Sequence, residues 1–384
     1  MEMSYRNSTK GFTLIELLIV NAIIAVLAVI LFPVAQIQLP DDAPLENPAL
    51  VARHPEVQDI YLLIGQSNMG GRAAIGELDK AVLPNVYLFN RENHWEKAAN
   101  LPSGMNRYST VRRKISMQNL NPAYTFGRKL ADYTGRKIGI VCNARGGTAI
   151  AWWQKGYSGP NDADMYEEAV ARTKAALAAS PGAILKGIVW HQGESDNSTA
   201  KAAIYMQQLQ TLVADLRADL NAPDVSFIAG EVGTWHGRGQ GVNPVIDQIS
   251  QHIPHSDFAS SQGLTSRNLP KNDPHFDTLS QRVLGERYAD AILRLVYQIS
   301  PGVVTLFNQT NFTGRSIVLR PGKYQAVDLE KRGLLPGELA SLKIQKGYKV
   351  LLRTGADAKT ITANVPNFSV AAGSQIESIV ISKE

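Results

Sequence analysis

Between residues 57 and about 298, short apolar runs alternate with amphipathic segments. The runs predict strands over 60–64, 86–89, 137–142, 183–190 and 225–231, and the 3.6-residue pattern predicts helices over 122–134, 165–179, 199–219 and 279–297. Asn121-Pro122 starts the first helix with a cap residue followed by proline in the first turn. In the third, Tyr205, Leu209, Leu212 and Leu216 fall on one face, a core-facing stripe. Strands separated by helices of this length predict an α/β fold with a parallel sheet covered on both faces. Such sheets place ligand sites in the loops beyond the strand C-termini.

The pattern changes past residue 303. VVTLF, SIVL, SLKI, KVLL and SIVI, separated by glycine turns, predict an all-β unit of roughly 80 residues beginning after Ser300-Pro301-Gly302. At the other end, residues 12–32 are apolar except for Thr13, Glu16 and Asn21, long enough to cross a hydrocarbon core as a transmembrane helix. Arg6 and Lys10 precede it, which keeps the N-terminus cytoplasmic. Residues 33–56 carry Pro33, Pro40, Pro44, Pro48 and Pro55 with acidic residues between them, an extended spacer. Four parts follow: a leader with its hydrophobic helix (1–32), a linker (33–56), an α/β domain (57–300) and a β domain (301–384).

Composition removes several function classes. The net charge of +5 is spread out, and its densest clusters are the pairs Arg112–Arg113 and Lys331–Arg332, so no nucleic-acid partner is expected. Cys142 is the only cysteine, which excludes an internal disulfide, and its strand-like setting predicts a buried thiol. The seven histidines form no H-E-x-x-H, and His252 and His255 have no suitable carboxylate neighbour, so neither a metal nor a cofactor is expected. His94 and His236 read as surface or pocket-wall residues.

Four polar clusters sit in loops of the α/β region. In GQSNMGG, Ser67 follows the first strand in a turn of small residues, which either exposes a hydroxyl beside free backbone N–H groups or is simply a turn. It is neither a G-x-S-x-G elbow nor a phosphate loop. Asn143–Thr148 contains Gly146-Gly147, whose backbone can approach a ligand closely, and Trp152-Trp153 beyond it are either sugar-ring walls or buried. In WHQGESD, the Gln192 amide suits a developing negative oxygen, while His191 and Glu194 either line a pocket or form a structural network. Finally, His275 is the natural general base for a hydroxyl. Asp273, or alternatively Asp277, is the carboxylate that would orient it, although Asp277 also suits a helix cap.

Three resemblances attach to these motifs. Lys10-Gly11-Phe12-Thr13-Leu14-Ile15-Glu16 resembles the type IV prepilin leader. That implies cleavage between Gly11 and Phe12 by a prepilin peptidase, an assembly glutamate at Glu16, contact with a pilus or pseudopilus, and placement in the bacterial inner membrane or envelope with the soluble part outside. The four loop blocks, in order over residues 57–298, resemble the sialate O-acetylesterase-like and acetyl-xylan-esterase-like carbohydrate esterases of the SGNH superfamily. A flavodoxin-like three-layer fold and release of acetate from an acetylated carbohydrate are implied. Ser67 would be the nucleophile, His275 the base and Asp273 its support. The Ser67 N–H, the Gly147 N–H and the Gln192 side chain would form the oxyanion hole, with Asn68, Gly146, Trp152, His191 and Glu194 binding substrate. The family places its aspartate three residues before the histidine, where this chain has Asn272. The competing reading is a non-catalytic, pilin-like surface protein that binds glycan. Residues 307–324, with a later Ser341–Ile344 and Gly347–Val350, resemble a βγ-crystallin unit of two Greek keys. Its calcium positions fall near Pro336–Ser341 and Gly373–Ser378, where Glu338 and Glu377 are the only carboxylates.

Overall fold

Every position of strand β1 (Asp59–Gly65) is buried, as expected of a strand covered on both faces. The computed structural model describes Leu50 and residues 55–158, 164–355, 357–369 and 375–384. In it β1 is the centre of a seven-stranded sheet. With β2 (Val86–Phe89), β3 (Trp95–Lys97), β4 (Ile138–Ala144), β5 (Ile184–His191), β6 (Ser226–Gly230) and β7 (Ser256–Ala259), the order is β3-β2-β4-β1-β5-β6-β7. All neighbours are parallel except the β2–β3 pair. The pattern did not predict β3 and β7, since Trp95-Glu96-Lys97 and Ser256-Asp257-Phe258-Ala259 are short edge strands without an apolar run.

Side chains of β1 divide between two cores. Tyr61 and Leu63 pack with α1 (Ala123–Thr134) on one face, while Ile60, Leu62 and Ile64 pack with α2 (Met165–Ala178) and α3 (Thr199–Asp219) on the other. The predicted stripe of α3 is fully buried there. The last helix, α4 (Thr278–Leu295), shares the α1 face. Cys142 lies in that core, where burial pushes its thiol up to about 12. After β1 the chain turns to β2 and β4 on one side, then crosses to β5 on the other. The crevice beyond the C-terminal end of β1 is therefore the switch point of the sheet.

The C-terminal strands form two antiparallel sheets. In chain order they are β8 (Val304–Phe307), β9 (Ser316–Leu319), β10 (Gly322–Gln325), β11 (Ser341–Ile344), β12 (Tyr348–Thr354), β13 (Asp357–Ile361) and β14 (Ser378–Lys383). Their orders are β11-β8-β9 and β10-β14-β12-β13. A short helix at Ala326–Lys331, absent from the expectation, follows β10. The described residues form one compact unit, and the α1–α4 core continues through Val304, Leu306, Ile317 and Leu319. The Glu338 carboxylate is held by the Arg315 guanidinium.

A buried ion cluster crosses this junction. Glu286 of α4 accepts from Arg332 at 2.9 Å and pairs with Lys129 at 2.8 Å and Arg128 at 3.3 Å. Burial alone would raise its carboxyl, but Arg332, Lys129 and Arg128 outweigh burial and hold it at about 2. Glu286→Leu would strand buried cations and is expected to cost about 3–5 kcal/mol of stability, read by urea unfolding.

The expected membrane helix, the processing residues Gly11, Phe12 and Glu16, and nearly all of the linker lie outside the described residues. Among the described residues, no helix is long and apolar enough to cross a membrane.

Candidate active site

The site is assembled where β1, β4, β5 and β7 run out. Gly65 ends β1 with φ +136°, and a side chain there would collide with the His191 carbonyl. Only glycine lets β1 and β5 close on each other while the chain bends into the helical turn Ser67–Gly70. That turn lifts the Ser67 hydroxyl to the rim of a cavity of about 400 Å³. His275 Nε2 lies 3.0 Å from Ser67 Oγ, and His275 Nδ1 lies 2.6 Å from Asp273 Oδ1.

The loop before α4 holds the pair in place. Asp273 Oδ1 also accepts the His275 backbone N–H, and Oδ2 accepts from Arg267 Nε at 2.8 Å. Ser266 Oγ and Trp235 Nε1 both donate to the Asp273 carbonyl. Burial would raise the Asp273 carboxyl, but the His275 N–H and Arg267 outweigh it and keep the group ionised. Burial is also the main influence on His275, lowering it to about 4 against the opposing pull of Asp273. Asn272 adopts a left-handed φ of +49°, and its side-chain oxygen accepts from Arg238 Nε. Asp277 caps α4 by accepting from the Ser280 N–H, which settles that alternative as structural.

Other predicted residues divide between the pocket wall and its support. Gly146, Gly147 and Glu194 line the cavity with Ser67 and His275. Asn68, predicted to touch substrate, is fully buried instead. Its amide donates to Glu194 Oε1 at 2.6 Å and to the Pro274 carbonyl, and its oxygen accepts the Phe276 N–H. It therefore ties the serine turn to the histidine loop. Gln192 also lies behind the wall, and its amide nitrogen is within reach of Gln66, Thr148 and Asp196 acceptors. An NH₂ group has two hydrogens, so two of these three acceptors are enough to occupy both. His191 is fully buried, donor or acceptor to Tyr288 at 2.8 Å, and burial lowers it to about 3 so that it stays neutral. Trp152 stacks on Tyr157 away from the cavity, and Trp153 is a core residue bonded to Thr148. Neither His191 nor Trp152 lines the cavity around Ser67.

Arginines were the residues missed. Arg72, Arg113 and Arg238 line the cavity, and its one carboxylate is Glu194, which burial raises to about 7. Burial is the main influence lowering Arg72, and the nearby Arg267 adds to it. The only sequence signal was their nearness to the motifs, since an arginine on a loop is ordinarily solvated surface.

A family model described as carbohydrate esterase, sialic acid-specific acetylesterase, matches residues 57–294, and a prokaryotic N-terminal methylation motif matches residues 6–32. The chain is similar to a probable carbohydrate esterase of Arabidopsis thaliana, 26% identical over 268 residues that span 62% of this chain and 94% of that protein. The X-ray structure of that protein aligns with a TM-score of 0.53 at 25% identity, over 62% of this chain and 99% of the other. A probable 9-O-acetyl-N-acetylneuraminic acid deacetylase of Escherichia coli strain K12 is 30% identical over 197 residues, 43% of this chain and 59% of that protein. A βγ-crystallin domain from Flavobacterium johnsoniae aligns with 21% of this chain and 96% of its own length, at 26% identity and a TM-score of 0.20.

Proposed function

The chain belongs to the carbohydrate esterases of the sialic acid-specific acetylesterase family, and on that premise we propose that it releases acetate from an O-acetylated sugar by the SGNH-type serine route. The observation that carries this reading is the 3.0 Å approach of His275 Nε2 to Ser67 Oγ, with Asp273 on the other ring nitrogen. Ser67 Oγ attacks the acetyl carbonyl carbon while His275 takes the hydroxyl proton. The backbone N–H groups of Ser67 and Gly147 face the oxyanion. As the tetrahedral species collapses, the sugar oxygen leaves with the proton from His275 and the acetyl group stays on Ser67. Water, deprotonated by the same imidazole, then attacks the acetyl-enzyme and frees acetate and Ser67. Arg72, Arg113 and Arg238 suit a sugar that carries an anionic group.

The leader supports placement at the bacterial envelope. A methylation motif over residues 6–32 fits cleavage after Gly11, with Phe12 as the new N-terminus, Glu16 for assembly and residues 12–32 as the membrane anchor.

Acetate release from O-acetylated sialic acid, acetylated xylan and an aryl acetate by the purified chain tests the reading. No acetate from any of them would refute it. Because the base must be neutral, activity should be retained on acidification until pH approaches about 4, where His275 gains its proton. An acid limb of kcat/KM near the 6.5 of an ordinary imidazole would contradict the buried geometry of His275.

A further inference from the structure

Residues 301–384 contain eleven Lys and Arg against six Asp and Glu, a surplus equal to the whole chain's +5. The residues before them are balanced. This excess is organised on one sheet. In the β10-β14-β12-β13 sheet, Tyr324, Ile379, Ile381, Val350, Leu352 and Ile361 are buried. Alternation therefore turns their neighbours to the opposite face. The registers agree: Lys323 pairs with Val380, Val380 with Leu351 and Leu351 with Thr360, one continuous outward row. On either side of it along β12 stand Lys349 and Arg353, opposite Ser382 and Ser378.

The outward positions of these four strands thus hold three cations, Lys323, Lys349 and Arg353, and no carboxylate. Among the described residues, none of the three joins an ion pair within 4.0 Å. Lys349 and Arg353 are about 13 Å apart along the strand, and Lys323 lies two strands, about 10 Å, to the side. An acid-free, triply cationic face fits an extended polyanion. A membrane fits less well, because among the described residues no exposed large hydrophobic lies on this face to enter lipid, and its Val380 and Leu351 are half-buried. Single-stranded nucleic acid would want aromatic stacking platforms, and the outward positions carry none.

We propose that this outer sheet face is a docking surface for an acidic polysaccharide, holding the polymer on the same compact unit that carries the Ser67 pocket. The choice of a polysaccharide over other polyanions rests on the carbohydrate-esterase reading; the surface itself does not.

The test uses residues 50–384, the compact unit without the proposed anchor at 12–32, and measures affinity for polygalacturonate, neutral galactan, vesicles of pure phosphatidylglycerol and single-stranded DNA. Native protein should hold polygalacturonate and ignore galactan. The triple variant Lys323→Gln, Lys349→Gln, Arg353→Gln should lose about tenfold in affinity at low salt. That difference should vanish near 1 M salt, where the Debye length is about 3 Å. Hydrolysis of a small aryl acetate should not change. A charge-keeping variant, Lys323→Arg with Lys349→Arg and Arg353→Lys, should bind like native and so controls for folding. Equal affinity of the native and triple-Gln proteins would overturn the proposal, as would vesicles or DNA held as tightly as polygalacturonate. Ser67→Ala separates this from the esterase reading, since it should bind the polymer fully while releasing no acetate. Native protein that binds through the three cations yet never releases acetate would leave the surface standing and the esterase reading lost.

Discussion

Ser67→Ala is expected to abolish acetate release, lowering kcat by about four to six orders of magnitude, with the folded state unaltered. The Ser67 side chain has one described hydrogen-bond contact, to His275 Nε2, so its loss leaves no other buried group unpaired. The backbone of its turn is held independently, by Gly70 N–H to the Gln66 carbonyl and Gly71 N–H to the Ser67 carbonyl. Urea midpoints of the native and variant proteins should therefore agree. His275→Ala should fall to a similar floor, and the double variant should fall no further, because nucleophile and base act as one unit. Residual activity in Ser67→Ala near the native level would mean that another group attacks the ester, and the assignment of the pocket would fail with it.

Much of this arrangement was legible because the controlling forces are local. The apolar runs that became β1, β4, β5 and β6 are long enough to declare a buried strand, and the Tyr205–Leu216 stripe declares a helix face. Ser67 and Gly146-Gly147 stood out because small or polar residues directly after such runs fall at the sheet edge, and His275 because it stands beside Asp273 just ahead of a predicted helix. What the pattern could not hold was the far partner of each polar group. Asn68 looks like a pocket residue until Glu194, Pro274 and Phe276, brought close only by the fold, occupy its amide. Gln192 reads as a free amide donor until the fold sets acceptors of Gln66, Thr148 and Asp196 within its reach. The pocket arginines come from three separate loops, and their shared environment has no trace along the chain. Strands β3 and β7 escaped for a simpler reason: an edge strand of three or four residues needs no apolar run.

The second large effect separates Asp273 from its neighbour. Asp273→Asn should reduce kcat/KM by about two to four orders of magnitude, and Asn272→Asp should not restore it. Asn272 sits at φ +49°, a left-handed conformation that asparagine tolerates better than most residues, and its side chain is turned to Arg238. The carboxylate that meets Nδ1 is that of Asp273, two residues before the histidine. In Asn272→Asp/Asp273→Asn the carboxylate would therefore meet Arg238 rather than the imidazole, and the double variant should stay as weak as Asp273→Asn alone. Arg267→Gln supplies the contrast. It loosens the other carboxylate oxygen but leaves Nδ1 its partner, so a loss much smaller than that of Asp273→Asn is expected. The pH profile distinguishes orientation from mere folding damage. Asp273 raises the pKa of His275, so removing its charge should move the acid limb of the residual activity below the native position near pH 4. An Asp273→Asn protein with native kcat/KM and an unmoved acid limb would show that the imidazole is oriented by something other than Asp273.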